Sequence, residues 1–217
     1  MKKIFIPALI IIILCFLSCS KKQVVYENDE SDTVYAVVNG ENIMSDEIEY
    51  FKSRDKAEII NRYAEKYHIS DFSDFWEKNF DGDSPKKALE NIALSDAVEA
   101  KIKLVLMRDN GVYDDISYEG LKKKAEQYNA EHKDKKETVG INTVDLSSFY
   151  TYYVSTGEME LKNILAEAEL KPSKDEIDSF PKDNSDITEN GVISMIVSEK
   201  YNKLIEEKIS SAKIVIK

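Results

Sequence analysis

The chain has 217 residues, 30 Lys and Arg against 41 Asp and Glu, and a net charge of -11. With 42% hydrophobic residues, 7 Gly, 4 Pro and 2 Cys, collagen-like, disulfide-rich and wholly disordered classes are excluded. The low Gly and Pro content favours long helices, and the acidic balance argues against a nucleic-acid partner, because phosphates need a basic face.

Residues 1–19 read as an export address. Lys2 and Lys3 precede an apolar run from Ile4 to Leu17, shorter than the roughly 20 residues a spanning helix needs, which is the secretory-signal pattern. Its end, Phe16-Leu17-Ser18-Cys19, resembles a bacterial lipobox, although Phe16 and Leu17 depart from the usual residues there. That resemblance implies a signal peptide cut before Cys19 and diacylglyceryl on Cys19. The protein would be held by lipid at a cell-envelope membrane, on its periplasmic or extracellular face. Leu14 makes Cys15 a poor alternative. With Cys19 acylated, the mature chain has no intramolecular disulfide and its stability must come from its core. Residues 20–32 are polar and read as a flexible tether.

A single domain is expected over 33–217. Val34–Val38 and the residues after Asn39-Gly40 read as a hairpin, since Asn-Gly supplies the two positive-φ positions of a tight turn. Two strands alone are marginal, and Ala212–Ile216 is the candidate third, which would pair the chain's two ends. Ser45 opens a helix to about Lys66, with Asp46 and Glu47 at its positive end and Ile48, Phe51, Ile59, Ile60, Tyr63 and Tyr67 at helical spacing. Residues 68–83 form an aromatic loop or short helix. Ser84-Pro85 starts a helix to about Asp109 that is apolar around much of its circumference and therefore central. Further helices are predicted at about 117–131, 144–169, 173–180 (capping box Ser173–Glu176) and 188–210.

Chemistry-bearing motifs are sparse. His68 and His132 lie in separate polar stretches without metal-ligand spacing. Asp81-Gly82-Asp83 does not open a calcium loop, because Lys86 and Ile92 occupy the positions that would need Gly and an acid. No nucleotide, dinucleotide or nucleophile motif occurs. No catalytic residue, metal or cofactor is expected.

The aromatic residues form the most informative pattern. Two groups stand out, Phe72, Phe75, Trp76 and Phe80, and Phe149, Tyr150, Tyr152 and Tyr153. They serve either core packing or an apolar, adaptable surface for unfolded polypeptide, for which Tyr and Trp offer large contact area with a polar tip. The expected polypeptide-binding residues are Phe72, Phe75, Trp76, Phe80, Tyr150, Tyr152 and Tyr153.

Val37-Val38-Asn39-Gly40-Glu41-Asn42-Ile43, then Ser45-Asp46-Glu47-Ile48 and Phe51, resembles the N-terminal module of SurA/PrsA-type exported foldases. Ala88–Gly111, Asp115–Glu119 and Glu199–Ile216 are similar to that family's long helix, the segment after it, and its closing helix and strand. The resemblance implies a mostly α SurA N-terminal-like domain, with a small antiparallel sheet joining the N-terminal hairpin to the C-terminal strand. It also implies a chaperone that binds unfolded or nascent exported polypeptides without ATP. One departure is large. The family's parvulin prolyl-isomerase domain needs many more residues than 171–187 provide, and that stretch has no Gly and no His. The isomerase is therefore expected to be absent. Two other readings stay open, a structural or adaptor lipoprotein docking one dedicated partner and a peptidyl-prolyl isomerase with an unfamiliar site.

Overall fold

The computed structural model describes residues 34–132, 144–181 and 187–217, together with the backbone of 24–26. The export signal with Cys19, most of the 20–32 segment, and most of the 132–142 and 182–187 connections lie outside the described residues. Among the described residues, four strands and six helices follow in order: β1 Val24–Tyr26, β2 Val34–Val38, β3 Glu41–Met44, α1 Ser45–Tyr67, α2 Pro85–Asp109, α3 Tyr118–His132, α4 Leu146–Ala166, α5 Lys174–Ser179, α6 Glu189–Ser210 and β4 Ile214–Ile216.

The fold is mostly helical, and its hairpin and C-terminal strand form a small antiparallel sheet. Asn39 (φ 52°) and Gly40 (φ 92°) both take the positive φ that a tight hairpin turn requires. β4 lies antiparallel to β2, with Ala36 opposite Ile216 and Val38 opposite Ile214. Asn39 locks this closure by donating its N–H to the Lys213 carbonyl (3.0 Å) while its Oδ1 accepts the Lys213 N–H (2.9 Å). One strand was not expected. β1, inside the segment read as a tether, pairs in parallel with the outer side of β4 and extends the sheet to the order β1-β4-β2-β3.

Local signals account for most helix boundaries. The Ser84 hydroxyl accepts the Lys87 N–H (3.2 Å), and Pro85 follows as the first helical residue. Asp145 and Thr188 cap α4 and α6 in the same way. At α1 the expected cap is displaced by one residue: Met44 is the N-cap and Ser45 is already helical. Glu47 then occupies the third helical position, where its Oε2 accepts the Met44 N–H (2.9 Å). α4 stops at Ala166, short of the expected 169, and a turn returns the Leu170 N–H to the Leu165 carbonyl (2.8 Å).

The main core lies where α2 packs against α1, α4, α6 and the hairpin. Ala93, Ala97, Val98, Leu104 and Met107 of α2 are all buried, along with Ile43, Ile48, Phe51, Leu161 and Tyr201 from its neighbours. Burial on more than one face of α2 follows from its circumferential apolarity. A second, smaller core joins the end of α1 to the start of α2 and the intervening loop, through Ile59, Tyr63, Phe75, Ala88 and Leu89.

Among the described residues, three charged side chains are buried: Glu47, Asp55 and Lys101. Lys101 Nζ of α2 lies 3.2 Å from Glu47 Oε1 of α1, both side chains being 2% exposed. The Tyr150 hydroxyl of α4 donates to the same oxygen at 3.4 Å. Burial, then the Glu47 carboxylate, push the Tyr150 hydroxyl far above the ordinary tyrosine range. This group ties three helices together at one point.

α5 is held differently. It buries no residue, and Glu176 joins it to Lys200 of α6 at 2.8 Å. The Lys200 ammonium, then the Ser173 N–H and hydroxyl, hold the Glu176 carboxyl at about 2. A carboxyl depressed on folding contributes stability that is complete above its ordinary 4.5 and is lost as pH falls through about 2. Lys200→Met is expected to move the Glu176 titration upward toward 4.5, as read by carboxyl NMR. An unmoved titration would mean that the ion pair does not hold α5.

Candidate polypeptide-binding surface

The 68–84 loop is a sequence of tight turns. His68 ends α1 in the left-handed region (φ 51°), and Asp81 (φ 55°) with Gly82 (φ 91°) turn the chain so that the Phe80 N–H meets the Asp83 carbonyl at 2.7 Å. Asp81 also accepts the Tyr67 hydroxyl (2.9 Å), so Asp81-Gly82-Asp83 is turn chemistry. The turns bring Phe75 edge-on against Tyr63 (ring centroids 6.1 Å) and Trp76 (5.0 Å), and set Phe80 at a tilt of 35° against Tyr67 (4.8 Å). Phe75 is buried, Trp76 and Phe80 are half-buried, and Phe72 stands 46% exposed.

The second aromatic group lies on α4 in the main core. Phe149, Tyr150 and Tyr153 are buried, and Tyr152, at the edge of that face with its ring 6.2 Å from Phe149, is 56% exposed. Tyr153 stacks on Tyr113 (4.0 Å between centroids), and the Tyr113 hydroxyl donates to the Tyr153 carbonyl (2.8 Å). Burial, then the Glu160 carboxylate, push the Tyr113 hydroxyl up to about 12.

The two groups belong to separate cores and do not form one continuous surface. Burial withdraws Phe75, Tyr150 and Tyr153 from surface contact in this conformation, leaving Phe72 and Tyr152 open and Trp76 and Phe80 partly so. Aromatic patterning missed three other exposed apolar side chains, Met159 (65%), Ile164 (39%) and Met195 (46%). Methionine is flexible and polarisable, and suits surfaces that accept varied partners. Met159 borders a groove of about 350 Å³ between α4 and α6, walled by Ala166, Ile193 and Val197, with no carboxylate in its lining.

A cleft of about 260 Å³ opens between α1, α2 and α4 beside Tyr50, Phe51 and Val154. Its charges are mutually satisfied. Arg54 pairs with Asp55 (2.7 Å) and with Asp96, and its guanidinium stands over the Phe51 ring (4.8 Å). Lys103 bridges Glu99 (2.9 Å) and Glu158 (3.0 Å). Burial raises the Asp96 carboxyl, with Arg54 opposing. Burial would also raise Glu158, but Lys162 and Lys103 more than offset it and the carboxyl is lowered. Each of these charged groups has a partner of opposite sign, and carboxylates outnumber cations by one.

Among the described residues no group of three or more His, Cys, Asp or Glu is placed to hold a metal ion. Among the same residues no helix is long and apolar enough to cross a membrane. No family model matches the chain, and no curated protein or solved structure matches it.

Proposed function

We propose that the protein is a membrane-tethered, ATP-independent chaperone module of the SurA/PrsA type that lacks the parvulin domain and holds unfolded exported polypeptides. The observation carrying this reading is the scatter of exposed apolar side chains, Phe72, Tyr152, Met159, Ile164 and Met195, over a well-packed acidic body. Separate adaptable contacts suit weak, sequence-tolerant holding better than a single shaped pocket does. The net charge of -11 keeps such a surface soluble. The family reading rests on the order of elements, hairpin, long helices, closing helix and closing strand, and on the lipobox-like sequence ending at Cys19. Between α5 and α6 the chain has only residues 180–188, too few for an isomerase domain.

The combined variant Tyr152→Ser/Met159→Ser is expected to weaken the suppression of client aggregation. It should leave the melting temperature nearly unchanged, because exposed substitutions stay within about 0.5 kcal/mol. Light scattering of a denatured client and a thermal melt of the same variant check both halves. Undiminished suppression would remove α4 from the holding surface. A large fall in melting temperature would mean that these side chains serve packing.

A further inference from the structure

One edge of the sheet is covered by a strand from the far end of the sequence. β4 is anchored on its inner side by β2: the Lys213 carbonyl accepts the Asn39 N–H (3.0 Å), Val215 lies opposite Val37, and the Lys217 N–H donates to the Tyr35 carbonyl (2.9 Å). Successive residues of a strand turn their backbone groups to opposite sides, so Ile214 and Ile216 present theirs at the outer edge. There β1 pairs in parallel, Val24 opposite Ile214, Val25 opposite Val215 and Tyr26 opposite Ile216. That register sets Val25 between the Ile214 carbonyl and the Ile216 N–H, with its own N–H and carbonyl turned toward β4. β1 is lightly held. It has three residues, and its principal contact among the described residues is β4. Residues 20–23 and 27–33 on either side of it are all polar, so they bring no apolar burial that would hold it in place. Without β1 the sheet would still have three strands, with Ala36, Val38, Ile43 and Ile214 in the main core, enough for the fold. The same removal would bare the β4 edge, whose unpaired backbone groups are a template for another strand.

We propose that the outer edge of β4 is a strand-accepting site, at which an extended client segment of β-branched and aromatic residues takes the place of β1. This deepens the polypeptide-holding role and rests on it, by naming one place and one mode of holding. The resident segment states the chemistry of the occupant: Val-Val-Tyr, extended and parallel to β4, with one N–H for the Ile214 carbonyl and one carbonyl for the Ile216 N–H. Unfolded chains supply such segments. The pairing groups are backbone, so the site tolerates varied sequences. Between clients, β1 keeps the edge covered.

Proline substitution tests the backbone pairing. Val25→Pro removes the N–H that meets the Ile214 carbonyl and should release β1. The Val24 N–H turns away from β4, so Val24→Pro should leave β1 seated. The full chain and both variants, in a mild non-ionic detergent, are titrated with the blocked peptides Gln-Val-Val-Tyr-Glu and Gln-Val-Pro-Tyr-Glu at up to millimolar concentration, and the Ile216 amide is followed by NMR. Val25→Pro is expected to bind the first peptide about five- to tenfold more tightly than the other two chains do, because a tethered β1 competes at high effective concentration. The second peptide should leave all three unchanged. Exchange of the Ile216 amide with solvent should quicken in Val25→Pro and slow again with the first peptide. Circular dichroism confirms that both variants are folded. Equal binding by all three chains, equal binding of the two peptides, or no binding by folded Val25→Pro would overturn the proposal. Dimerisation that Val25→Pro abolishes, with no peptide bound, would assign the edge to a second copy and also overturn it. Aggregation suppression by the unaltered chain reads the general role separately. A chain that holds denatured clients while Val25→Pro ignores the peptide keeps the function and loses this site, and the reverse result keeps the site and loses the function.

Discussion

Replacing Lys101 with Met is expected to lower the unfolding free energy by about 3–5 kcal/mol, the usual cost of removing one partner from a buried pair. The ammonium lies 3.2 Å from Glu47 Oε1, with both side chains 2% exposed. Without it the Glu47 carboxylate remains buried, held among the described residues only by the Met44 N–H (2.9 Å) and the Tyr150 hydroxyl (3.4 Å). Adding Glu47→Gln should recover part of the loss, because a neutral amide still presents an oxygen to Met44 without an unpaired charge. The two changes are therefore strongly non-additive, and urea unfolding of the two single variants and the double variant measures the coupling. A loss below about 1 kcal/mol for Lys101→Met would place the pair in solvent, contrary to the packing of α1 on α2.

Gly157→Ala is expected to destabilise the protein by about 1–3 kcal/mol, the usual cost of overpacking, although alanine is the better helix former by about 1 kcal/mol. Gly157 is buried in the middle of α4. A Cβ there would lie 2.6 Å from Tyr113 Cε2, 2.7 Å from Met107 Sδ and 2.8 Å from the Tyr113 hydroxyl. Tyr113 has little freedom to retreat, because it stacks on Tyr153 and bonds to its carbonyl. Tyr113→Leu introduced with Gly157→Ala should restore part of the stability by opening that space. A thermal melt distinguishes the outcomes, and a higher melting temperature for Gly157→Ala alone would show that helix propensity outweighs packing at this position.

The helices and the hairpin were legible because their signals are local. Asn39-Gly40, Ser84-Pro85 and Ser173 with Glu176 each satisfy backbone groups within a few residues, so their geometry follows from neighbours in sequence. β4 was legible by a different route, since two strands needed a third and one apolar run remained. β1 was not, because Val24–Tyr26 has no partner until the C-terminus folds against it. The buried charges left a faint trace. Asp55 falls four residues after Phe51 and four before Ile59, on the apolar stripe of α1, and Lys101 lies among Ala97, Ala100 and Leu104 on α2. A charge on a buried stripe needs a partner, but the identity of that partner is a tertiary fact. The candidate surface was the least legible part. Aromatic grouping marks apolar area without saying which face of a helix meets the core, so Tyr152 is exposed while Tyr150 and Tyr153 are buried. Met159 and Met195 carried no aromatic signal.

The most direct measurement is light scattering of several unrelated denatured proteins diluted into buffer with residues 21–217 of this chain and no ATP. Suppression of aggregation across clients at near-stoichiometric amounts is the predicted result. Failure to suppress the aggregation of any client, with the chain itself folded, would contradict the holding role and direct attention to a single dedicated partner recovered from membranes.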